Sequence, residues 1–337
     1  MNGKDRIMTT LLHQEPDRAP IFEWSINPNV IEALTGHRSL WKFVETYDLD
    51  AVCVGLVTQK NYVSTDTYYD DFGVLRKESD DYHVALKHVI HQPSDLSRYK
   101  MPDPDDAYRY DRVREALRIF GKDKAICVLI RDVFSFPRDM LGFENLFIDF
   151  YEEPELVDEL SHMMVEFSSR VAVNLRELGI QLVATQDDLA TNRGLLISKE
   201  MFCKQLLPNY KQLVANLKAN DLIVFKHTDG DIREIIPEFI DAGIDCLDPI
   251  DPNGNMNMGE IKCQYGDKIS LKGNIDCVAT LVSASLDEVE KEVTRCIEDG
   301  APGGGFILSS SNSIHGGINP KNFEHMIVCA KKYGKYR

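Results

Sequence analysis

The sequence from Asp221 to Pro252 holds a complete strand–helix–strand pattern, and this pattern limits the possible folds most strongly. An uninterrupted apolar run at residues 222–225 predicts a strand that is buried on both faces. Apolar residues at helical spacing over 232–239 predict a helix, and residues 244–247 predict the next strand. Because two parallel strands need a crossover of this kind, the pattern indicates a parallel α/β sheet.

Polar side chains follow both strands of this unit. The first strand is followed by Lys226, His227, Thr228 and Asp229, and the second by Asp248 and Asp251. Gly230 predicts a turn, and Asp231 stands where the N-cap of the helix is expected. In parallel α/β folds the carboxyl ends of the strands form the edge at which ligands bind, so we expect a functional site there.

The same alternation runs through the whole chain. Eight strands are predicted, nearly all separated by helices, at residues 19–23, 50–57, 126–130, 181–185, 222–225, 244–247, 269–272 and 305–308. This count predicts an α/β fold of the (β/α)8 TIM-barrel type, formed by a single domain over residues 1–337. Short alternating segments after the second strand predict a small β-hairpin insertion at about residues 60–105.

Composition excludes several classes of partner. A net charge of −16 argues against nucleic acids and anionic membranes, which attract clustered lysine and arginine. No apolar run reaches the length of a membrane span, and the N-terminal residues are too polar for a secretory signal, so a cytoplasmic location is expected. The eight cysteines form no paired motif and are expected to be free thiols, several of them buried.

A barrel brings all its strand ends together at one mouth. The candidate residues there are Glu23, Thr58, Arg131, Asp187, Asp188, His227, Asp229, Asp248, Asn274, Asp276 and Asn312. Some of them have structural alternatives: capping the next helix or pairing with Arg193 explains Asp188 as well as a functional role does, and Asp276 is suited to capping a turn. His227 is the residue that a purely structural role explains least, since Asp229 follows it two residues later.

Several segments of the chain resemble one known family. They are GKDRIMTTLLHQEPDRAP, LGFENLFIDFYEEPELVDEL, HTDGDIREIIPEFIDAGID, YGDKISLKGNID and the closing GGGFILSSS with INPKNF. They resemble the uroporphyrinogen decarboxylase superfamily over essentially the whole chain, and the resemblance implies a (β/α)8 barrel. The superfamily contains decarboxylases of the porphyrinogen ring and corrinoid-dependent methyltransferases, so the resemblance alone leaves the activity open.

The decarboxylase branch fits poorly. Those enzymes carry an arginine-rich segment after the first strand, where this chain reads EWSINPNV, and a catalytic aspartate where it has Thr58. Their late histidine aligns with Asn312. These departures remove groups that the reaction needs, and an acidic mouth repels a polycarboxylate substrate.

The methyltransferase branch fits better, with one change. The thiol-methylating members hold zinc through a His-x-Cys pair and a later cysteine, and the resemblance places His227, Asp229 and Asn312 at these positions. Zinc is therefore not expected, although a harder site built from His227 and Asp229 stays open.

An acceptor that needs no metal follows from this change. We expect methyl transfer between a corrinoid (methylcobalamin-type) on a partner protein and tetrahydrofolate, whose pterin ring suits aspartate and asparagine side chains. The catalytic candidates are His227, Asp187 and Asn312, and the substrate-binding candidates are Asp188, Asp229, Asn274, Asp276, Glu23 and Arg131. The alternatives are demethylation of an aryl ether or amine, a decarboxylase of the uroporphyrinogen decarboxylase type, and a barrel that only binds ligands; the oligomeric state stays open.

Overall fold

The computed structural model describes residues 1–336 and is built around a curled parallel sheet of seven strands. The strands of the chain are β1 Ala51–Gly55, β2 Lys60–Tyr62, β3 Thr67–Asp70, β4 Leu75–Glu78, β5 His83–Lys87, β6 Ala125–Arg131, β7 Leu182–Gln186, β8 Ala190–Thr191, β9 Gly194–Leu195, β10 Ile223–His227, β11 Cys246–Asp248, β12 Ser270–Ile275 and β13 Phe306–Ser310. The parallel sheet has the order β1-β6-β7-β10-β11-β12-β13, so seven of the eight predicted strands are confirmed.

The first predicted strand, at residues 19–23, does not form a regular strand. It makes one isolated parallel bridge between Ile21 and Leu308 of β13. On its other side, the Asp50 N–H donates to the Ile21 carbonyl at 3.0 Å, so the segment lies between the two edge strands of the sheet. Pro20 has no N–H to donate, which limits the ladder that this segment can form. A closed eight-stranded barrel stays a prediction.

The insertion after β1 contains more strands than predicted. Strands β2, β3, β4 and β5 form a four-stranded antiparallel sheet, whereas the sequence suggested one hairpin. The short strands carry only weak alternating patterns, so the sequence indicates fewer strands than the structure contains. The insertion carries Asp81 and Tyr82 towards the carboxyl ends of the parallel strands.

Helices cover the outside of the parallel sheet. The α-helices are α1 Gly3–Leu11, α2 Pro28–Thr35, α3 Leu40–Tyr47, α4 Asp111–Phe120, α5 Ser135–Leu141, α6 Phe143–Glu152, α7 Pro154–Glu177, α8 Lys199–Met201, α9 Leu207–Ala219, α10 Ile236–Ala242, α11 Met258–Tyr265, α12 Thr280–Ser283, α13 Leu286–Gly300 and α14 Pro320–Tyr333. Helix α10 begins four residues later than predicted, because Pro237 is tolerated only in the first turn. Asp231 therefore does not cap it and pairs with Arg233 at 2.6 Å.

Alternate residues of each parallel strand enter two separate cores. Ala51, Cys53 and Phe225 belong to a small cluster inside the curled sheet, which Ile7 of α1 also enters. Val52, Val54 and their equivalents pack outward against the helices. Because side chains alternate along a strand, this arrangement fixes which strand-end residues point to the interior and which do not.

Two further expectations concern the helices and the cysteines. Among residues 1–336, none of the helices combines the length and the apolar character needed to span a bilayer. All eight cysteines are free thiols, and six of them are buried.

Candidate active site

His227 is the last residue of β10 and points into the interior of the curled sheet. It follows the interior residue Phe225 by two positions, so the strand alternation places both side chains on one face. Its ring is 6% exposed. The Nδ1 atom lies 2.5 Å from Asp248 Oδ2, and Nε2 lies 3.7 Å from Asp229 Oδ1. Burial lowers the pKa of His227, but the hydrogen bond and charge of Asp248 outweigh it and raise that pKa above its ordinary value.

Asp248 anchors this histidine within a buried network. Its Oδ1 accepts a hydrogen bond from Lys272 Nζ at 2.6 Å, and its Oδ2 also accepts from Trp24 Nε1. The Lys272 ammonium lies 4.4 Å from the centre of the Trp24 ring. Burial raises the pKa of Asp248, yet Lys272 and His227 together hold it below its ordinary value. The charged carboxylate of Asp248 therefore fixes the orientation of the His227 ring.

Asp188 and Asp229 flank the exposed side of His227. One donor atom from each of these three residues lies within 4.8 Å of the other two. The Oδ1 atoms of Asp188 and Asp229 are buried and have no hydrogen-bond partner among the described residues. Burial raises the pKa of Asp229 to about 7, with His227 opposing the shift and Asp188 adding to it. Two carboxyl oxygens are therefore available to a ligand beside the imidazole.

These residues do not fit a thiolate zinc site. Asp229 and Asn312 stand where the resemblance expects cysteines, and their side chains touch, with Asn312 Nδ2 donating to Asp229 Oδ2. An imidazole with two carboxylates is a harder donor set, and Asp188, His227 and Asp229 are the residues that would hold a divalent ion. The sequence pointed to His227 and Asp229 for such a site but did not include Asp188.

Gly230 allows Asp229 and Asp231 to face different directions. It has a φ of +84°, and a Cβ there would lie 2.6 Å from the Thr191 carbonyl oxygen. Its N–H donates to Asp251 Oδ2 at 3.0 Å. The turn after β10 is thus held by the loop after β11, and this contact positions Asp229 beside His227.

An open cavity of about 570 Å³ surrounds these groups and is called the mouth cavity here. It is lined by Asp81, Tyr82, Gln186, Asp188, His227, Asp229, Asp251, Asn253, Cys277, Val278, Ser311, Asn312, Ser313 and His315. Four of these are aspartates, and none is lysine or arginine. Of the predicted site residues, Asp188, His227, Asp229 and Asn312 meet in this cavity.

Three predicted substrate-binding residues do not reach it. Glu23 is buried beneath the mouth and accepts hydrogen bonds from the Ser310 N–H and hydroxyl at 2.9 and 2.6 Å. Burial raises the pKa of Glu23 to about 7, although Lys272 and Ser310 oppose the shift. Asn274 faces outward, because its amide donates to the Ile250 carbonyl and accepts from Cys296 of α13. Asp276 caps the following turn through the N–H groups of Val278 and Ala279, as its structural alternative predicted.

The other two predicted residues, Asp187 and Arg131, line a second cavity of about 300 Å³. We call it the arginine lobe; its lining is Gly55, Leu56, Thr58, Phe72, Arg109, Leu129, Ile130, Arg131, Ser135, Arg138, Asp139, Phe167, Ser168, Val171, Gln186, Asp187 and Asp188. Asp187 accepts from the Phe134 N–H at 2.8 Å. Burial and the nearby Asp132 raise the pKa of Asp187 to about 8, against the effect of Lys226.

Sequence reasoning missed three residues that shape this region. Trp24 and Lys272 support Asp248, and Arg138 of α5 lines the arginine lobe. Lys272 stands at the end of a predicted strand, and this position could have identified it as a candidate site residue. No spacing rule marks Arg138, which reaches the cavity only because α5 folds over the end of β6.

Comparison with known proteins identifies the family. The model of the family described as uroporphyrinogen decarboxylase (URO-D) matches residues 73–333. Uroporphyrinogen decarboxylase from Alkalilimnicola ehrlichii is 23% identical over 258 residues, which cover 72% of this chain and 67% of that protein. The match therefore extends over most of both chains.

Solved structures agree on the fold. A methyltransferase from Methanosarcina mazei superposes with a TM-score of 0.78 at 16% identity, covering 99% of each chain. A B12-independent methionine synthase from Shewanella sp. W3-18-1 superposes with a TM-score of 0.56 at 13% identity, covering 95% of this chain and 94% of that one. At such identities these likenesses show a shared fold and no more. With the family model matching most of its length, this chain belongs to the uroporphyrinogen decarboxylase (URO-D) family.

Proposed function

We propose that this protein is a methyltransferase, which moves a methyl group between a corrinoid on a partner protein and tetrahydrofolate bound in the mouth of a closed (β/α)8 barrel. The observation that carries this proposal is the lining of the mouth cavity, which holds four aspartates and no lysine or arginine. A porphyrinogen substrate with many carboxylates would be disfavoured there by the excess of carboxylates in the lining. A pterin ring presents adjacent N–H donors, for which the free Oδ1 atoms of Asp188 and Asp229 are suitable acceptors.

The residues of this chain then have distinct tasks. Asp188 or Asp229 accepts from the ring N3–H and 2-amino group, and Asn312 offers an amide beside them. N5 must lose a proton as it gains a methyl group. His227, held by Asp248, is placed to take part in this proton transfer. The corrinoid supplies the methyl-carrying cobalt from the partner side. The main contribution of the barrel is to hold N5 in line with the methyl carbon.

A second function is favoured by one observation. Asp188 joins His227 and Asp229 in a donor set compact enough for a divalent ion. With an ion there, the site would suit the demethylation of an aryl ether or an amine, because a bound metal stabilises the leaving group. This alternative keeps the corrinoid partner and changes the small substrate.

The test is anaerobic turnover of methylcobalamin with tetrahydrofolate or a simple thiol as acceptor, with metal analysis of the same sample. We expect transfer to tetrahydrofolate by metal-free protein, and a loss of about 100-fold or more in Asp188→Asn. The matched control is Asp241→Asn, which removes an exposed carboxylate paired with Lys211 on the helical surface.

Other outcomes would redirect or reject the proposal. Transfer to the thiol alone, or tightly bound metal that is needed for turnover, would overturn the tetrahydrofolate assignment and favour the second function. Full activity in Asp188→Asn would show that the mouth cavity is not the site of transfer. Inactivity with both acceptors, in a folded protein, would reject the tetrahydrofolate assignment and favour either the second function or a barrel that only binds ligands.

A further inference from the structure

The arginine lobe adjoins the mouth cavity, and Gln186 and Asp188 line both. Apart from Asp188, the pterin contacts proposed above do not use the lobe. The two cavities of about 570 and 300 Å³ are therefore adjacent and share part of their wall. A ligand whose head contacts Asp188 from the mouth lies beside the lobe.

The two cavities both contain aspartates but differ in their basic residues. Three arginines, Arg109, Arg131 and Arg138, line the lobe, whereas the mouth cavity has none. Arg131 donates to Asp139 at 2.7 Å and is 28% exposed. Arg138 makes no hydrogen bond to Asp139, because its Nε lies 3.6 Å from Asp139 Oδ1. Its side chain is 32% exposed. The lobe therefore offers a guanidinium to an anion.

Two buried polar atoms in the lobe wall also lack partners. Arg109 Nη2 has no hydrogen-bond acceptor among the described residues, although it lies 3.8 Å from Asp106 Oδ2 and Arg109 Nη1 pairs with Asp71 at 2.7 Å. Asp187 Oδ1 is likewise buried without a partner. Buried polar groups are normally satisfied, so these two atoms are available to a polar ligand in the lobe.

The remaining walls are apolar and partly aromatic. Phe72 and Phe167 face the cavity together with Leu56, Leu129 and Val171. The Arg131 guanidinium stacks over the Phe72 ring at 4.7 Å, which fixes both side chains in place. Walls of this kind suit a flat, apolar spacer that ends in a charged group.

We propose that the arginine lobe is a subsite for the tail of the substrate, which consists of an aromatic spacer ending in a carboxylate. Arg138 binds the carboxylate, the phenylalanines enclose the spacer, and the head of the same molecule lies at Asp188 in the mouth cavity. This inference rests on the proposed function, because it adds a tail site to the pterin site. It assigns Arg138 a role in choosing the substrate.

Calorimetric binding of p-aminobenzoyl-glutamate to the full-length protein tests the subsite without any turnover. We expect binding that weakens about tenfold or more in Arg138→Gln, because a charge-assisted hydrogen bond is lost. The diamide of the same fragment should bind similarly weakly to the unchanged protein. The control is Arg118→Gln on the exposed face of α4, which should bind the fragment as the unchanged protein does.

Turnover separates this inference from the proposed function. With methylcobalamin, Arg138→Gln should raise the KM for tetrahydrofolate about tenfold and leave the KM for tail-free 6-methyltetrahydropterin unchanged. Equal binding of the carboxylate and the diamide, or unaltered binding in Arg138→Gln, would overturn the tail subsite even if methyl transfer succeeds. If neither pterin is methylated but the fragment binds through Arg138, the subsite stands and the proposed function fails.

Discussion

His227 and Asp248 end two adjacent parallel strands, occupy paired positions in the ladder, and join through Nδ1 and Oδ2 at 2.5 Å. The carboxylate thereby fixes the orientation of the imidazole and leaves Nε2 directed towards Asp229 and the mouth cavity. Asp248 also neutralises Lys272, which is fully buried. One carboxylate thus supports both the candidate catalytic group and the packing beneath it.

Asp248→Asn should destabilise the protein by roughly 3–5 kcal/mol, because it leaves the buried Lys272 ammonium without a counter-charge. Adding Lys272→Met should recover a large part of that loss, since it removes the stranded charge and retains the volume. Denaturant unfolding of the single and double variants measures both effects. A double variant that is as unstable as the sum of its single changes would contradict this interpretation.

Glu23→Gln should change how stability depends on pH. Burial raises the pKa of Glu23 from 4.5 to about 7, so the folded protein holds a proton there that the unfolded chain has lost. Stability therefore falls as pH rises from about 4.5 to 7 and stays reduced above that, by an amount on the order of 3 kcal/mol. Glutamine does not ionise; its oxygen can accept from the Ser310 N–H, and its amide NH2 can donate to the Ser310 hydroxyl oxygen.

Unfolding free energies of both proteins at pH 5 and pH 8 test this expectation. The variant should gain stability relative to the unchanged protein at pH 8 and lose most of that advantage at pH 5. An equal difference at the two pH values would show that Glu23 does not titrate in this range.

Asp229→Cys combined with Asn312→Cys should create a tight zinc site. The two side chains are already in contact, and Asp229 lies beside His227 Nε2, so the pair of thiolates and the imidazole would supply three ligands. We expect zinc affinity to exceed that of the unchanged protein by about 100-fold or more, because zinc prefers thiolate to amide and carboxylate ligands. Competition with a chromogenic chelator measures the gain.

The single variant Asn312→Cys is the control for this zinc site. It supplies one thiolate and should produce a much smaller gain than the double variant. Equal zinc affinities for the double variant and the unchanged protein would mean that these three positions cannot converge on one ion.

Asp139→Asn should destabilise the wall of the arginine lobe. Asp139 accepts hydrogen bonds from Arg76 and Arg131 at 2.5 and 2.7 Å. Burial opposes its ionisation, but the arginines outweigh burial and lower its pKa to about 2. Removing this charge leaves Arg76 with Asp70 as its one acidic partner at 2.6 Å and Arg131 with Asp70 at 3.9 Å, so we expect a loss of roughly 2 kcal/mol at pH 7. Thermal unfolding measures it, with Asp241→Asn as the control that should change little.

Sequence patterns were sufficient for elements set by local periodicity. Apolar runs located the seven strands of the parallel sheet, and the position of His227 directly after one of them placed it at the functional edge. The Ala19–Glu23 segment was harder to predict, because its hydrogen bonds go to strands far away in the chain and Pro20 interrupts its ladder. The number of strands in the insertion was harder to predict for a related reason, because its four short strands carry weak alternating patterns.

The candidate site likewise contains residues that the sequence could identify and residues whose position it could not show. Residue type and strand position, together with the family resemblance, selected Asp188, His227, Asp229 and Asn312, because these follow directly from where strands end. The sequence could not show that Asn274 turns towards Cys296, that Glu23 is bonded beneath the mouth, or that Asp187 and Arg131 face a separate cavity. Those outcomes depend on which partners satisfy each buried polar group, and the partners come from distant elements. Only the tertiary structure, by folding α5 over the end of β6, brings Arg138 to the site.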